Sequence, residues 1–254
     1  MAQRRAALIT GVGRSAGIAA AVARRLAGSH DLVLSGHPAY DAATDADGEA
    51  EALALAEELR GGSARVSYLP TDLAEPEAPR RLVEAAHESL GSLDTLVAAH
   101  AHSRLTPLGS LDAAEIDRHL TVNVRATLLL VEAFAVAHDR ARGQGRVVLF
   151  SSGQRLGPMP AELAYAASKG AIEALVVSLD AELAPAGIAV NALNPGPTDT
   201  GLLSGEAYEE IRARFPSGRW GTPEDAARTV AWLASDDAAW ISGQTLDAEG
   251  GFRR

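Results

Sequence analysis

Tyr165 and Lys169 stand four residues apart in Tyr165-Ala166-Ala167-Ser168-Lys169, which puts both on one face of a helix. A free tyrosine titrates near pH ~10, too high for easy acid–base work at neutral pH. A neighbouring ammonium favours the phenolate and moves it toward working pH. Thirteen residues before Tyr165, at the end of a strand-like run, stands Ser152. A hydroxyl there can hydrogen-bond the same substrate oxygen as the tyrosine. Farther on, Asn194-Pro195-Gly196-Pro197-Thr198-Asp199-Thr200 places two threonine hydroxyls on a turn after another apolar run. The loop Thr10-Gly11-Val12-Gly13-Arg14-Ser15-Ala16-Gly17-Ile18-Ala19 suits a pyrophosphate, because a glycine-rich turn leading into a helix exposes backbone N–H groups and the positive helix end.

These residues need elements to hold them. Strand-like runs cover 6–10, 31–35, 65–69, 94–99, 145–151, 188–192 and 244–246. Helix-like runs at 17–27, 49–59, 76–90, 111–140 and 162–183 alternate with them, and a late helix starts at Thr222-Pro223-Glu224-Asp225. Asp112-x-x-Glu115 reads as a capping box opening the fourth of these helices. Continuous apolar strands alternating with helices predict a parallel sheet covered on both faces. The expected fold is α/β: one doubly wound, Rossmann-type domain over 1–254, with a seven-stranded parallel sheet. Ligands of such sheets bind at the carboxyl ends of the strands, which is where the residues above fall.

Composition removes other classes. The chain has 254 residues, 47% apolar, with no cysteine, so thiol chemistry and zinc-thiolate sites are excluded. A net charge of −10 disfavours nucleic-acid or anionic-membrane partners. No sequence run reaches the ~18 apolar residues of a membrane span, and residues 1–10 lack the pattern of a signal peptide, so a cytoplasmic location is expected. Of 23 basic residues, 22 are arginine, and Lys169 is the only lysine.

The glycine loop departs from the usual dinucleotide spacing. Either Ser15 replaces a glycine, or the loop is two residues longer and Gly17-Ile18-Ala19 closes it. The phase of Ile18, Val22 and Leu26 favours the longer loop. The second strand ends in Ser35-Gly36-His37, with no acid before Asp41, and Arg14 could meet a 2′-phosphate. This tilts the expectation from NAD toward NADP.

Together the residues resemble the classical short-chain dehydrogenase/reductase family over nearly the whole chain. The likeness is carried by the Thr10-Gly11 loop, Asp72-Leu73, Asn123 in Thr121-Val122-Asn123-Val124, Ser152, Tyr165 and Lys169. The Pro195-Gly196 turn and the 221–251 tail extend it. The resemblance implies an NAD(P)-dependent oxidoreductase that interconverts a carbonyl and an alcohol. Tyr165 would be the proton donor or acceptor and Ser152 would polarise the carbonyl. Lys169 would lower the tyrosine pKa and hold the nicotinamide ribose, and Asn123 would hold a relay water. It also implies that Gly11, Gly13, Arg14, Ser15, Gly17 and Ile18 cradle the cofactor. Asp72 and Leu73 would lie at the adenine, and Pro195, Gly196, Thr198 and Thr200 at the nicotinamide. A mobile substrate lid over about 201–220 and a homo-tetramer or dimer are implied as well.

Two features depart from the family. Ala98-Ala99-His100-Ala101 stands where Asn-Asn-Ala-Gly is usual. The longer glycine loop is similar to that of the enoyl-acyl-carrier reductases, whose Tyr and Lys are more widely spaced. The rival readings are a non-catalytic dinucleotide sensor and a halohydrin-dehalogenase-like lyase. The first needs no intact Ser, Tyr and Lys, and the second uses arginine in place of the lysine. His100 and His102, two apart, would share one side of a strand end, but no acid cluster accompanies them and no metal is expected. Arg155 could meet an anionic substrate or stay solvated.

Overall fold

The computed structural model describes residues 4–42 and 47–254. Seven strands form one sheet: β1 (Arg5–Thr10), β2 (His30–Ser35), β3 (Val66–Tyr68), β4 (Thr95–Ala98), β5 (Gly145–Phe150), β6 (Ile188–Asn194) and β7 (Thr245–Asp247). The order is β3-β2-β1-β4-β5-β6-β7, and every pair is parallel. β2, β5 and β6 are buried along their whole length. Burial on both faces is why they read as near-continuous apolar runs.

Helices α1 (Ile18–Leu26), α3 (Gly48–Arg60) and α9 (Pro223–Leu233) cover one face. Helices α4 (Ala78–Leu90), α6 (Ala126–Ala137) and α7 (Leu163–Leu183) cover the other. Among the described residues the other α-helices are short: α2 (Pro38–Ala42), α5 (Ala113–His119) and α8 (Gly205–Arg212). The strand order reverses between β1 and β4, whose last residues Thr10 and Ala98 are in register. A crevice opens at that switch point, outside the carboxyl ends of the strands.

The helix expected over 111–140 is three pieces. α5 runs into a π turn, Leu120–Arg125, and then into α6. The wider turn accompanies Asn123, which is 2% exposed and tied by its side chain to groups on two other segments. The expected capping box at Asp112 is only half formed. Asp112 accepts from Ala114 N–H at 3.4 Å, while Glu115 turns inward to His102. The box at Thr222 is complete, with Asp225 returning the bond.

Helix 113–137 is long and apolar enough to cross a membrane, with a mean hydropathy of 1.6 over an 18-residue window. It lies instead along the sheet, burying Ala126, Leu130, Val131 and Phe134. Its outer face leaves Leu120 and Val136 exposed.

Candidate active site

A cleft of about 710 Å³ runs along the carboxyl ends of the strands. That lies within the range of small-molecule and cofactor sites. At one end is the glycine loop. Gly11 has φ +81°, and a Cβ there would come within 2.7 Å of the Ala99 carbonyl and the His100 nitrogen. Only glycine gives the backbone that close approach. α1 begins at Ile18 with Gly17 as its cap, and no side chain caps it. The first N–H groups of the helix have no capping side-chain acceptor, so they can serve an anion. Gly13, Arg14, Gly17 and Ile18 line this end.

Ser15 points its N–H elsewhere, to the Glu51 carboxylate at 2.6 Å. Hydrogen bonding from Ser15, its side chain first and this N–H second, holds the Glu51 carboxyl below its ordinary pKa. Arg14 lines the same end of the cleft as Asp41, and its charge acts on that carboxyl. It crosses the cleft and donates to the Thr200 carbonyl at 3.1 Å, so it ties the glycine loop to the turn after β6. Asp72 and Leu73 line the cleft beyond β3, where Asp72 accepts the Ala74 N–H at 2.8 Å. Pro195, Gly196, Thr198 and Thr200 line the wall after β6. Gly196 has φ +64° and packs against Glu249.

Ser152 and Tyr165 meet on the wall between these ends. Burial pushes the Tyr165 phenol up to about 12, and the Ser152 hydroxyl beside it pulls part of the way back. The direction is opposite to the expectation that Lys169 would bring the phenol down. Lys169 is 3% exposed and lies behind the wall. Its Nζ donates to the Phe150 carbonyl at 2.9 Å and lies 5.6 Å from the Tyr165 ring centre. Burial lowers its own pKa to about 8. Asn123 is also behind the wall. Its amide donates to the His102 carbonyl and to Ser168 Oγ, both at 2.9 Å, and its oxygen accepts the His102 N–H at 2.7 Å. Ser168 in turn donates to the Tyr165 carbonyl at 2.7 Å. Through these bonds the Asn123 side chain braces the tyrosine's helix.

Several groups at the site were hidden from the sequence. β4 ends at Ala98, so strand alternation no longer governs the histidines that follow, and the two rings go different ways. His102 meets Glu115, an acid brought in by α5. With His119 these donors lie within 4.8 Å of one another. His119 Nδ1 faces the Glu115 carbonyl at 2.8 Å, and its Nε2 accepts the Arg104 N–H at 3.2 Å. Both ring nitrogens are committed, which leaves no lone pair for a cation. Arg155 is exposed and pairs with Glu173 at 3.3 Å and with Asp247.

The C-terminal segment packs against the loop that follows Ser152. Arg254 pairs with Glu249 and lies over Gly153 and Gly157, whose missing side chains leave it room. Glu249 accepts from Asn194 Nδ2 at 2.8 Å, so the loop after Ser152 and the turn after β6 are joined through this segment. In the 201–220 stretch, Tyr208 stacks on Trp220 at 5.0 Å, and Trp220 and Phe215 are buried. Leu202 lines the cleft and is largely exposed. The stretch therefore has an anchored base and an apolar free edge.

A sequence profile described as Enoyl-(Acyl carrier protein) reductase matches residues 11–253. The chain is 41% identical over 253 residues to an uncharacterized oxidoreductase, YjdA, of Bacillus subtilis strain 168, covering 99% of this chain and 98% of that one. It belongs to the short-chain dehydrogenase/reductase family. It is 34% identical over 252 residues to a cis-4-hydroxycyclohexanecarboxylate dehydrogenase of Sinomonas cyclohexanicum, covering 98% of this chain and 96% of that one. A short-chain dehydrogenase of Burkholderia cenocepacia J2315, solved in complex with NADP, superposes with a TM-score of 0.87 at 31% identity, covering 98% of each chain. This short-chain dehydrogenase/reductase is an NAD(P)-dependent oxidoreductase. The bare-backbone loop at Gly11 and the uncapped start of α1 fit the dinucleotide that such an activity requires.

Proposed function

We propose that the protein interconverts a carbonyl and an alcohol, with Tyr165 moving the proton and Ser152 holding the substrate oxygen. The observation that carries this is the placement of both hydroxyls on one wall of the cleft that also holds the glycine loop. The dinucleotide, when bound, supplies or accepts the hydride. The chain's own part is the proton. Burial keeps the phenol protonated at neutral pH, which is the state that reduction needs. Once the proton has gone to the carbonyl oxygen, the buried Lys169 ammonium is the nearby charge that stabilises the phenolate. Asn123 and Ser168 fix the helix that carries both.

NADP(H) is the favoured dinucleotide in this proposal. The residue after β2 is Gly36, and a Cβ there would overlap the Val12 carbonyl oxygen. No carboxylate can stand at that position to select ribose hydroxyls. His37 follows it in the cleft. Asp41, whose carboxyl is raised by burial, also lines the cleft and is the group that weighs against a 2′-phosphate. The four-residue spacing of Tyr165 and Lys169 separates the chain from the enoyl-reducing activity that the longer loop would suggest. No feature of the cleft favours the sensor or the lyase.

The test is titration with NADPH and NADH, followed by a panel of ketones and aldehydes with the tighter one. We expect NADPH to bind at least about tenfold tighter, a difference of about 1.4 kcal/mol. Reduction should be nearly flat from pH 6 to 8, with alcohol oxidation rising over the same range. Equal or reversed affinity would overturn the cofactor assignment.

The exposed apolar residues on the outer faces of the long helices, Leu120, Val136 and Val177, support a homo-oligomer, tetramer or dimer, packed helix to helix. Light scattering should return a mass of two or four chains, and Val136→Glu should lower it. A wild-type protein monomeric at micromolar concentration would contradict this.

A further inference from the structure

The sequence places His100 where the family is usually apolar, and alanines at 98 and 99 where it is usually polar. The imidazole is 8% exposed at the floor of the cleft. Its Nδ1 lies 2.7 Å from the hydroxyl of Thr10, the last residue of β1. Its Nε2 lies 3.1 Å from the carbonyl oxygen of Val122, in the π turn one residue before Asn123. The same Nε2 lies 3.4 Å from Thr127 Oγ1, and that hydroxyl donates to the Asn123 carbonyl at 2.8 Å.

These partners fix the tautomer. A carbonyl oxygen only accepts, so Nε2 carries the hydrogen. Nδ1 is then the acceptor and takes the Thr10 hydroxyl hydrogen. The Val122 carbonyl and the closer of the two Thr10 hydroxyl contacts are both satisfied by this neutral form, the other being the Val97 carbonyl oxygen at 3.5 Å. The imidazolium is disfavoured, because burial and the Lys169 charge push the ring down to about 3. The backbone before His100 is equally committed, since the Gly11 loop lies against Ala99 and His100 with no room for a side chain.

We propose that His100 is a positioning residue whose ring spans the carboxyl end of β1, where the cofactor loop begins, and the π turn that carries Asn123. It holds the two at a fixed separation. Through Asn123 and Ser168, the helix bearing Tyr165 is set against the glycine loop. A shorter side chain at this position cannot reach both partners. The kinetic consequence rests on the carbonyl–alcohol reading, while the tautomer does not.

The test has two arms. In the first, nitrogen-15 histidine labelling and long-range proton–nitrogen NMR read the ring directly. The buried-histidine signal that His100→Gln removes should be the neutral Nε2–H tautomer, unchanged from pH 5 to 8, beside that of His30, which burial also keeps neutral over this range. An Nδ1–H tautomer, or a ring titrating near its ordinary pKa, would overturn the proposal. In the second, glutamine and asparagine are compared. Glutamine places its amide where Nε2 stands and keeps the donor to Val122. Asparagine places its amide where Nδ1 stands and keeps only the Thr10 contact. His100→Gln should hold kcat within about threefold of wild type, and His100→Asn should lower it by about tenfold or more. Both should keep dinucleotide affinity within about threefold. Asparagine equal to or better than glutamine would overturn the proposal. A wild type with no turnover would count against the carbonyl reading alone, and the NMR arm would still decide the role of His100.

Discussion

Lys169 shows what a single buried charge does in this protein. Its folded pKa of about 8 lies below the ordinary lysine value of 10.5, because burial penalises the ammonium. Below pH 8 both the folded and unfolded chains carry the charge, and the folded chain bears the full penalty. The penalty fades as the pH rises from 8 to 10.5 and is absent above that. A shift of this size corresponds to about 3 kcal/mol, partly offset by the hydrogen bond to Phe150. Lys169→Met should therefore raise stability at pH 7 by about 1–3 kcal/mol while abolishing turnover. Urea denaturation from pH 7 to 10 should show the gain shrinking with pH. A variant less stable than wild type at pH 7 would contradict this reading. The penalty also gives the composition a physical meaning. In a chain with 22 arginines, the one lysine is a buried ammonium that reaches a carbonyl beside Tyr165. A planar guanidinium, with five donors to satisfy, is a poor occupant of that space.

The elements were largely legible because their signals are periodic. β1 through β7 fall within a residue or two of their apolar runs, and α1 starts where the phase of Ile18, Val22 and Leu26 puts it. Side-chain partners were not legible in the same way. Asp112-x-x-Glu115 has capping-box spacing, yet Glu115 is drawn off by His102, which the chain brings in from 13 positions away. Arg14 could not be paired with Thr200 before the glycine loop and the turn after β6 were seen facing each other. The π turn has no periodic signature, since it costs only one extra residue in an otherwise helical run. The family likeness ran only to Gly251, so the seat of Arg254 was not legible, and it depends on Gly153 and Gly157 having no side chains. At this scale we expect Arg254→Ala to raise the substrate KM about three- to tenfold with dinucleotide affinity unchanged, because it frees the loop after Ser152 but not the glycine loop. An equal loss in dinucleotide affinity would show that Arg254 acts on the whole cleft.

The whole molecule is organised by its sheet. The reversal of strand order between β1 and β4 opens the cleft, and the groups in and behind its wall stand at strand ends or on the helix that follows. The glycine loop comes from β1, His100 from β4, Ser152 from β5, Tyr165 and Lys169 from α7, and the Pro195–Thr200 turn from β6. The two helical layers bury the strands on both faces, so these ends are held on rigid elements. The central claim is that this edge moves a proton through one phenol. Its most direct test is Tyr165→Phe, which removes the hydroxyl and little else. With the best carbonyl–dinucleotide pair, we predict a fall in kcat of about 10³-fold or more, with dinucleotide affinity within about threefold of wild type. Turnover within about tenfold of wild type in that variant would contradict the account.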